Sequence, residues 1–169
     1  TRKAGVLAGC ATVAETYGQV DTKIEADWHI YDGDALSPGD RIATLSGPAR
    51  SILTAERTAL NFLGRLSGIA TLTRTYVDAV AGTGARIAHT RKTTPGLRAL
   101  ELAAVAAGGG AAHRFGLDDA ILIKDNHVAV CGSVAEAVRR AREFAGHMTR
   151  IAVEIDRLDQ LAQAIEAGA

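Results

Sequence analysis

The feature that most constrains this chain is a repeating strand–helix beat in its second half. Arg86–Arg91, Ala120–Lys124 and Ile151–Ile155 each read as a strand, and their starts fall about thirty residues apart. Each is followed by a segment with helical spacing. Thr94-Pro95 reads as a cap and first helical residue, with Leu97, Leu100, Ala104 and Val105 on one face and Gly108-Gly109-Gly110 as the stop. Ser133-Val134-Ala135-Glu136 reads as a capping box, opening a helix that buries Val134, Ala137, Val138, Ala141, Phe144 and Ala145 and stops at Gly146. Leu158, Leu161, Ala162 and Ile165 form the face of a last helix. Such alternation predicts parallel strands joined by helical crossovers, in an open sheet or a closed barrel.

The first fifty residues follow another rule. Gly5–Gly9, Lys23–Tyr31 and Arg41–Leu45 read as short strands, punctuated by turns at Asp32-Gly33-Asp34 and Pro38-Gly39-Asp40. This predicts a small strand-rich module. From Ser51 to about Val80 the apolar spacing is helical, but Gly64 and Gly68 predict two helices or one interrupted helix.

Composition narrows the function. Apolar residues make up 47 % and charged residues 22 %, which are globular values. Nineteen basic residues balance nineteen acidic ones, so the basic excess usual in nucleic-acid binders is missing, and 4 % aromatics leaves little for base stacking. No apolar run reaches the roughly 20 residues of a bilayer span. Cys10 and Cys131 are far apart and fit neither a disulfide framework nor a zinc motif, so we expect two reduced thiols and a cytoplasmic protein.

Charge is concentrated where the predicted strands end. The first ends in Arg91-Lys92, the second in Lys124-Asp125, and the third carries Glu154 and Asp156. Parallel α/β folds bind ligands at these ends. The stretch from Arg86 to His127 also holds Arg98, Arg114, His89 and His113, a cationic segment suited to a multiply anionic small molecule. The triple glycine follows a helix rather than a strand, which favours a helix stop over a phosphate loop. The histidines lack metal-site spacing, and no G-x-S-x-G is present.

Ordered motifs then resemble a known family. Thr54-Ala55-Glu56-Arg57-Thr58-Ala59-Leu60-Asn61, Leu66-Ser67-Gly68-Ile69-Ala70-Thr71 and Thr90-Arg91-Lys92-Thr93-Thr94-Pro95-Gly96 come first. Gly108-Gly109-Gly110, His113-Arg114, Ile123-Lys124-Asp125-Asn126-His127 and Val153-Glu154-Ile155-Asp156 continue the series. Together they resemble quinolinate phosphoribosyltransferase over essentially the whole chain. The resemblance implies an N-terminal α/β sandwich with hammerhead-like strands over residues 1–66. It also implies the first three β-α units of an open, TIM-like α/β barrel over 67–169.

The implied reaction joins quinolinate to phosphoribosyl pyrophosphate, with magnesium, and loses CO2 to give nicotinate mononucleotide in NAD biosynthesis. By resemblance, Arg91, His113, Arg114 and Lys124 line a quinolinate pocket, Lys92 and Glu154 face the phosphoribosyl pyrophosphate, and Arg57 reaches the neighbouring subunit's site in a homodimer. Lys124 and Glu154 are the expected catalytic pair. Neither nucleic acid nor membrane is an expected partner. Leu102, Ala103, Ala106 and Ala112 depart from the family's usual pattern and remove cations from the helix before the triple glycine. Alternatives are a molybdenum-transport-associated paralogue, a non-catalytic oligomerisation fragment, and a biotinyl- or lipoyl-type carrier, the last disfavoured because the modified lysine is missing. Three β-α units do not close a barrel of about eight strands, so we expect a longer protein, and negligible turnover from these 169 residues alone.

Overall fold

Small and apolar residues at positions 55, 59, 66, 70 and 73 recur at helical intervals, and this stripe organises the N-terminal half. The computed structural model describes residues 1–169 and resolves into two units, Thr1–His113 and Arg114–Ala169. In the first, the stripe belongs to one helix, α2, running unbroken over Ala49–Ala79 with Ala55, Ala59, Leu66, Ala70 and Thr73 buried. The expected interruption at Gly64 and Gly68 does not occur. Each glycine costs about 1 kcal/mol against alanine, but the buried stripe on both sides of them outweighs that. The helix continues through positions 66–67 without a break.

The expected strand-rich module contains an unforeseen helix, α1 (Cys10–Val20), which buries Val13 and Tyr17. Its strands are short: β1 (Gly5–Val6) pairs antiparallel with β3 (Ala35–Leu36), and β2 (Glu25–Trp28) with β4 (Ala43–Ser46). Both predicted turns are present, with Gly33 at φ +96° and Gly39 at φ +92°. Two clusters fill this unit. Val13, Tyr17, Ala55 and Ala59 form one, packed by Trp28 and Leu45. Val6, Ala8, Leu66, Ala70 and Ala104 form the other. Beside it the amides of Val6 and Ala8 donate to Thr71 Oγ1 (2.9 Å) and Ser67 Oγ (3.1 Å) on α2.

The segment Arg86–Arg91 is not a strand. It makes one parallel bridge, Ala88 to Ala111, with the Ala111 amide donating to the Ile87 carbonyl (2.7 Å). With one bridging residue opposite, the ladder has nothing to extend along. Helix α3 (Arg98–Ala107) starts later than Thr94-Pro95 predicts. Gly96 is left-handed at φ +78°, which a continuing right-handed helix excludes, so Thr94–Leu97 forms a turn instead. The helix ends at the triple glycine as expected, with Gly109 at φ +89°.

The second unit carries the predicted parallel pair. Strands β5 (Ala120–Ile123) and β6 (Arg150–Val153) run in register from Ala120↔Arg150 to Ile123↔Val153. A short helix not foreseen from the sequence, α4 (Asp125–Cys131), follows β5 directly. Helix α5 (Val134–Phe144) follows, then α6 (Asp159–Glu166) after β6. Ile123, Val134, Ala137, Val138 and Ala164 form the core. Two expected core faces are corrected. Phe144 is 89 % exposed, and on α6 Ala164 is buried while Leu158, Leu161 and Ile165 are exposed. The 3.6-residue period finds a helix but not which apolar edge of it meets the sheet.

The predicted cap is half formed. Ser133 Oγ accepts from the Glu136 amide at 3.1 Å, while the Glu136 carboxylate turns to Arg139 and Arg140. Those two guanidinium groups, Arg139 first, hold the Glu136 carboxyl down at about 2. Ser133→Ala should therefore lower the stability of this unit by about 1 kcal/mol, read as a lower denaturant midpoint in urea.

Candidate active site

The residues singled out by sequence fall in both units. In the first, Arg57 stands exposed on α2, and Arg91, Lys92 and His113 follow it in the chain. In the second are Arg114, Lys124 and Glu154.

In the first unit an open pocket of about 520 Å³ lies between α2, the Thr90–Thr94 segment and α3. Lys92 lines it with His89, Thr90, Arg65, Glu101 and Leu102. Lys92 is exposed, and its amide donates to Thr90 Oγ1 at 3.2 Å. Arg91 is half-buried, and its Nε has no hydrogen-bond partner. This one buried N–H retains donor capacity for an incoming anion. His113 is exposed. Its amide donates to His89 Nε2 at 3.0 Å, which makes that nitrogen the acceptor and leaves the proton of a neutral His89 ring on Nδ1. The two rings meet edge to face, with centroids 6.5 Å apart.

Sequence reasoning missed the polar cluster behind this pocket. Glu101 is buried although it carries a carboxylate. Its Oε1 accepts from Arg65 Nε at 3.1 Å and also from Arg65 Nη2, and its Oε2 accepts from the Thr94 amide at 3.1 Å. Arg65 Nη2 donates to Thr94 Oγ1 as well. The Arg65 guanidinium, then the Thr94 contacts, keep the Glu101 carboxyl below the ordinary glutamate range. A signal was available, since Leu97, Glu101 and Ala104 are spaced at helical intervals along one stripe of α3, and a carboxylate on a buried stripe needs a partner.

In the second unit, strand register sets the site. Ile123 pairs with Val153, so the next residues, Lys124 and Glu154, leave the parallel strands side by side at their carboxyl ends. Lys124 Nζ lies 3.2 Å from Glu154 Oε2, both side chains about half exposed. The Glu154 amide donates to the Ile123 carbonyl at 2.9 Å. The Lys124 amide donates to Nδ1 of His127 in α4 at 2.9 Å, which leaves the His127 proton on Nε2, facing away from that bond. Sequence reasoning gave His127 no role. Asp119, at the entry to β5, accepts from the Phe115 and Gly116 amides, and these bonds, Phe115 first, lower its carboxyl pKa.

A parallel strand pair ending in an apposed lysine and glutamate can grip an anion and place a carboxylate beside developing positive charge. Two family models match the chain. "Quinolinate phosphoribosyl transferase, N-terminal domain" covers residues 1–67, and "Quinolinate phosphoribosyl transferase, C-terminal domain" covers 69–169. The chain belongs to the quinolinate phosphoribosyl transferase family. Its α/β architecture agrees with solved relatives of that family. NadC from Streptococcus pyogenes superposes with a TM-score of 0.94 at 43 % identity, covering 99 % of this chain and 60 % of that one. The nicotinate-nucleotide pyrophosphorylase from Francisella tularensis superposes with a TM-score of 0.96 at 42 % identity, covering 100 % and 60 %. The probable carboxylating nicotinate-nucleotide pyrophosphorylase of Bacillus subtilis is 52 % identical over 165 residues, which is 98 % of this chain and 57 % of the relative. The chain thus spans about three fifths of the length of these relatives.

Proposed function

We propose that this chain supplies substrate-binding and catalytic residues for the transfer of a phosphoribosyl group to quinolinate with decarboxylation. The quinolinate ring nitrogen forms a bond to the anomeric carbon of phosphoribosyl pyrophosphate as the bond to pyrophosphate breaks. The adduct then loses one carboxylate as CO2, and the vacated ring carbon takes a proton, leaving nicotinate mononucleotide. The observation that carries this reading is the Lys124–Glu154 pair at the carboxyl ends of two paired parallel strands, in a chain of this family.

The residues divide the work by charge. Glu154 is placed to stabilise the oxocarbenium-like ribosyl centre. Lys124 is placed to stabilise the carbanion left when CO2 departs. Without substrate each neutralises the other, and an arriving anion would compete with Glu154 for Lys124. We assign Arg91, His113 and Arg114 to the quinolinate carboxylates, Lys92 to the phosphoribosyl pyrophosphate, and exposed Arg57 to the neighbouring site of a homodimer. Leu102 lines the pocket beside Lys92, so the cations lost from α3 are not replaced there. No group of three or more His, Cys, Asp or Glu side chains is arranged to hold a metal. Magnesium would enter with the diphosphate substrate, whose charge it would neutralise.

At the level of architecture, we read residues 1–66 as part of a hammerhead-like α/β sandwich and 67–169 as the opening units of an open α/β barrel. The names of the relatives support the quinolinate enzyme over a molybdenum-transport-associated paralogue. A cytoplasmic setting fits two free cysteines, and no helix is long and apolar enough to cross a membrane.

The test is direct. The full-length gene product, given quinolinate and magnesium phosphoribosyl pyrophosphate, should release pyrophosphate, CO2 and nicotinate mononucleotide in equal amounts. Pyrophosphate release that does not depend on quinolinate would refute the reading.

A further inference from the structure

A pocket proposed to take anions should not contain a carboxylate, yet Glu101 lines it. The contacts of Glu101 explain its presence. One oxygen is gripped by the Arg65 fork from α2, and the other receives the Thr94 amide at the end of the Thr90–Thr94 segment. Arg65 closes the triangle on the Thr94 hydroxyl. Both ends of this cluster are on helices, while the segment it holds has no ladder of its own beyond the single Ala88–Ala111 bridge. The left-handed Gly96 just beyond Thr94 prevents α3 from extending back to fix it.

We propose that Arg65 and Glu101 are positioning residues that clamp the Thr90–Thr94 segment and thereby fix where Arg91 and Lys92 present their charges to substrate. The clamp rests on the functional reading above for the identity of that substrate. Glu101 does not itself bind the anion. Its charge is cancelled by Arg65, so the pocket keeps the net positive character that Lys92 supplies. The fork matters as much as the charge, because a single ammonium cannot reach Glu101 and the Thr94 hydroxyl together.

Glu101→Gln keeps the shape but offers one acceptor where two are used. In the full-length gene product it should raise the KM for quinolinate and phosphoribosyl pyrophosphate about tenfold or more while kcat changes less than about threefold. The Thr94 amide should exchange with solvent about tenfold faster or more, as a lost hydrogen bond of about 1.4 kcal/mol would give. Arg65→Lys should reproduce part of the KM effect. If Glu101→Gln does not fold, Thr94→Val removes only the hydroxyl contact and should still raise KM. Unchanged KM with unchanged Thr94 exchange overturns the clamp, as does an equal loss of kcat and thermal stability with KM untouched. Failure of the unaltered protein to turn over quinolinate would count against the functional reading instead, and Thr94 exchange would still decide whether the clamp holds the segment.

Discussion

Lys124→Ala lowers the turnover of the full-length protein by about 10²–10³, the range for removing one preorganised charge partner of a transition state. The expectation follows from placement. Lys124 leaves β5 beside Glu154, its Nζ 3.2 Å from the carboxylate, at the end of the strands where parallel α/β folds hold their ligands. In the proposed decarboxylation an electron pair remains on the ring carbon, and Lys124 supplies an ammonium at this strand edge. The defect should show in kcat beyond any rise in KM, because Lys124 answers the charge that develops as the carbon–carbon bond breaks in addition to the charge of the bound anion. Lys124→Arg should recover little, since a planar fork does not replace a compact point charge. Steady-state release of CO2 from carboxyl-labelled quinolinate measures it. Normal turnover in Lys124→Ala would remove Lys124 from the mechanism.

Gly108→Ala should cost the first unit about 3 kcal/mol or more. An added Cβ would lie 2.4 Å from the Ala70 carbonyl oxygen and 2.7 Å from Thr73 Cβ, both on α2. The obstacles are backbone and a Cβ, which no rotamer change can move, so the helices must part. Backbone strain is not involved, because Gly108 is right-handed at φ −71°. Gly109→Ala is the useful contrast. Its added Cβ would meet only side chains at 3.6 Å and beyond, but its φ of +89° penalises alanine by about 1–2 kcal/mol. Trp28, the single tryptophan, packs against the Val13–Tyr17–Ala55–Ala59 cluster and reports this unit during thermal unfolding. A Gly108→Ala melt no lower than that of Gly109→Ala would sink the steric argument.

How far the sequence foretold this structure depends on whether local pattern or long-range packing decided each element. Strands β5 and β6 were legible, because continuous apolar runs between turn signals have few alternatives. Helix α5 was legible through its Ser133 cap. Helix α1 was not, because Val13 and Tyr17 make too short a stripe to stand out between two glycine-marked strands. The continuity of α2 was hidden by Gly64 and Gly68, whose propensity cost is local while the compensating burial of Leu66 and Ala70 comes from β1 and α3. The segment at 86–91 has strand composition, but a strand exists only through its partners. At the site, Lys124 and Glu154 could be read as charges at strand ends, whereas Arg91 and Lys92 were expected at the end of a strand that does not form. The apposition of Lys124 and Glu154 needed the register. Arg65 and Glu101 are 36 residues apart in the chain, and nothing local joins them.

The hydroxyls that α2 extends to β1 bear on a different hazard. A short strand paired on one side only leaves alternate amides open to any passing chain, and such edges seed intermolecular sheets. Here the Leu7 amide is taken by the Asp34 carbonyl, on the β3 side, while those of Val6 and Ala8 are taken by Thr71 and Ser67. Two side chains of a helix thus occupy amides that an incoming strand would otherwise pair with, and the sheet has no third strand. Gly5 permits the close approach, since a Cβ there would stand 2.6 Å from the Thr71 hydroxyl.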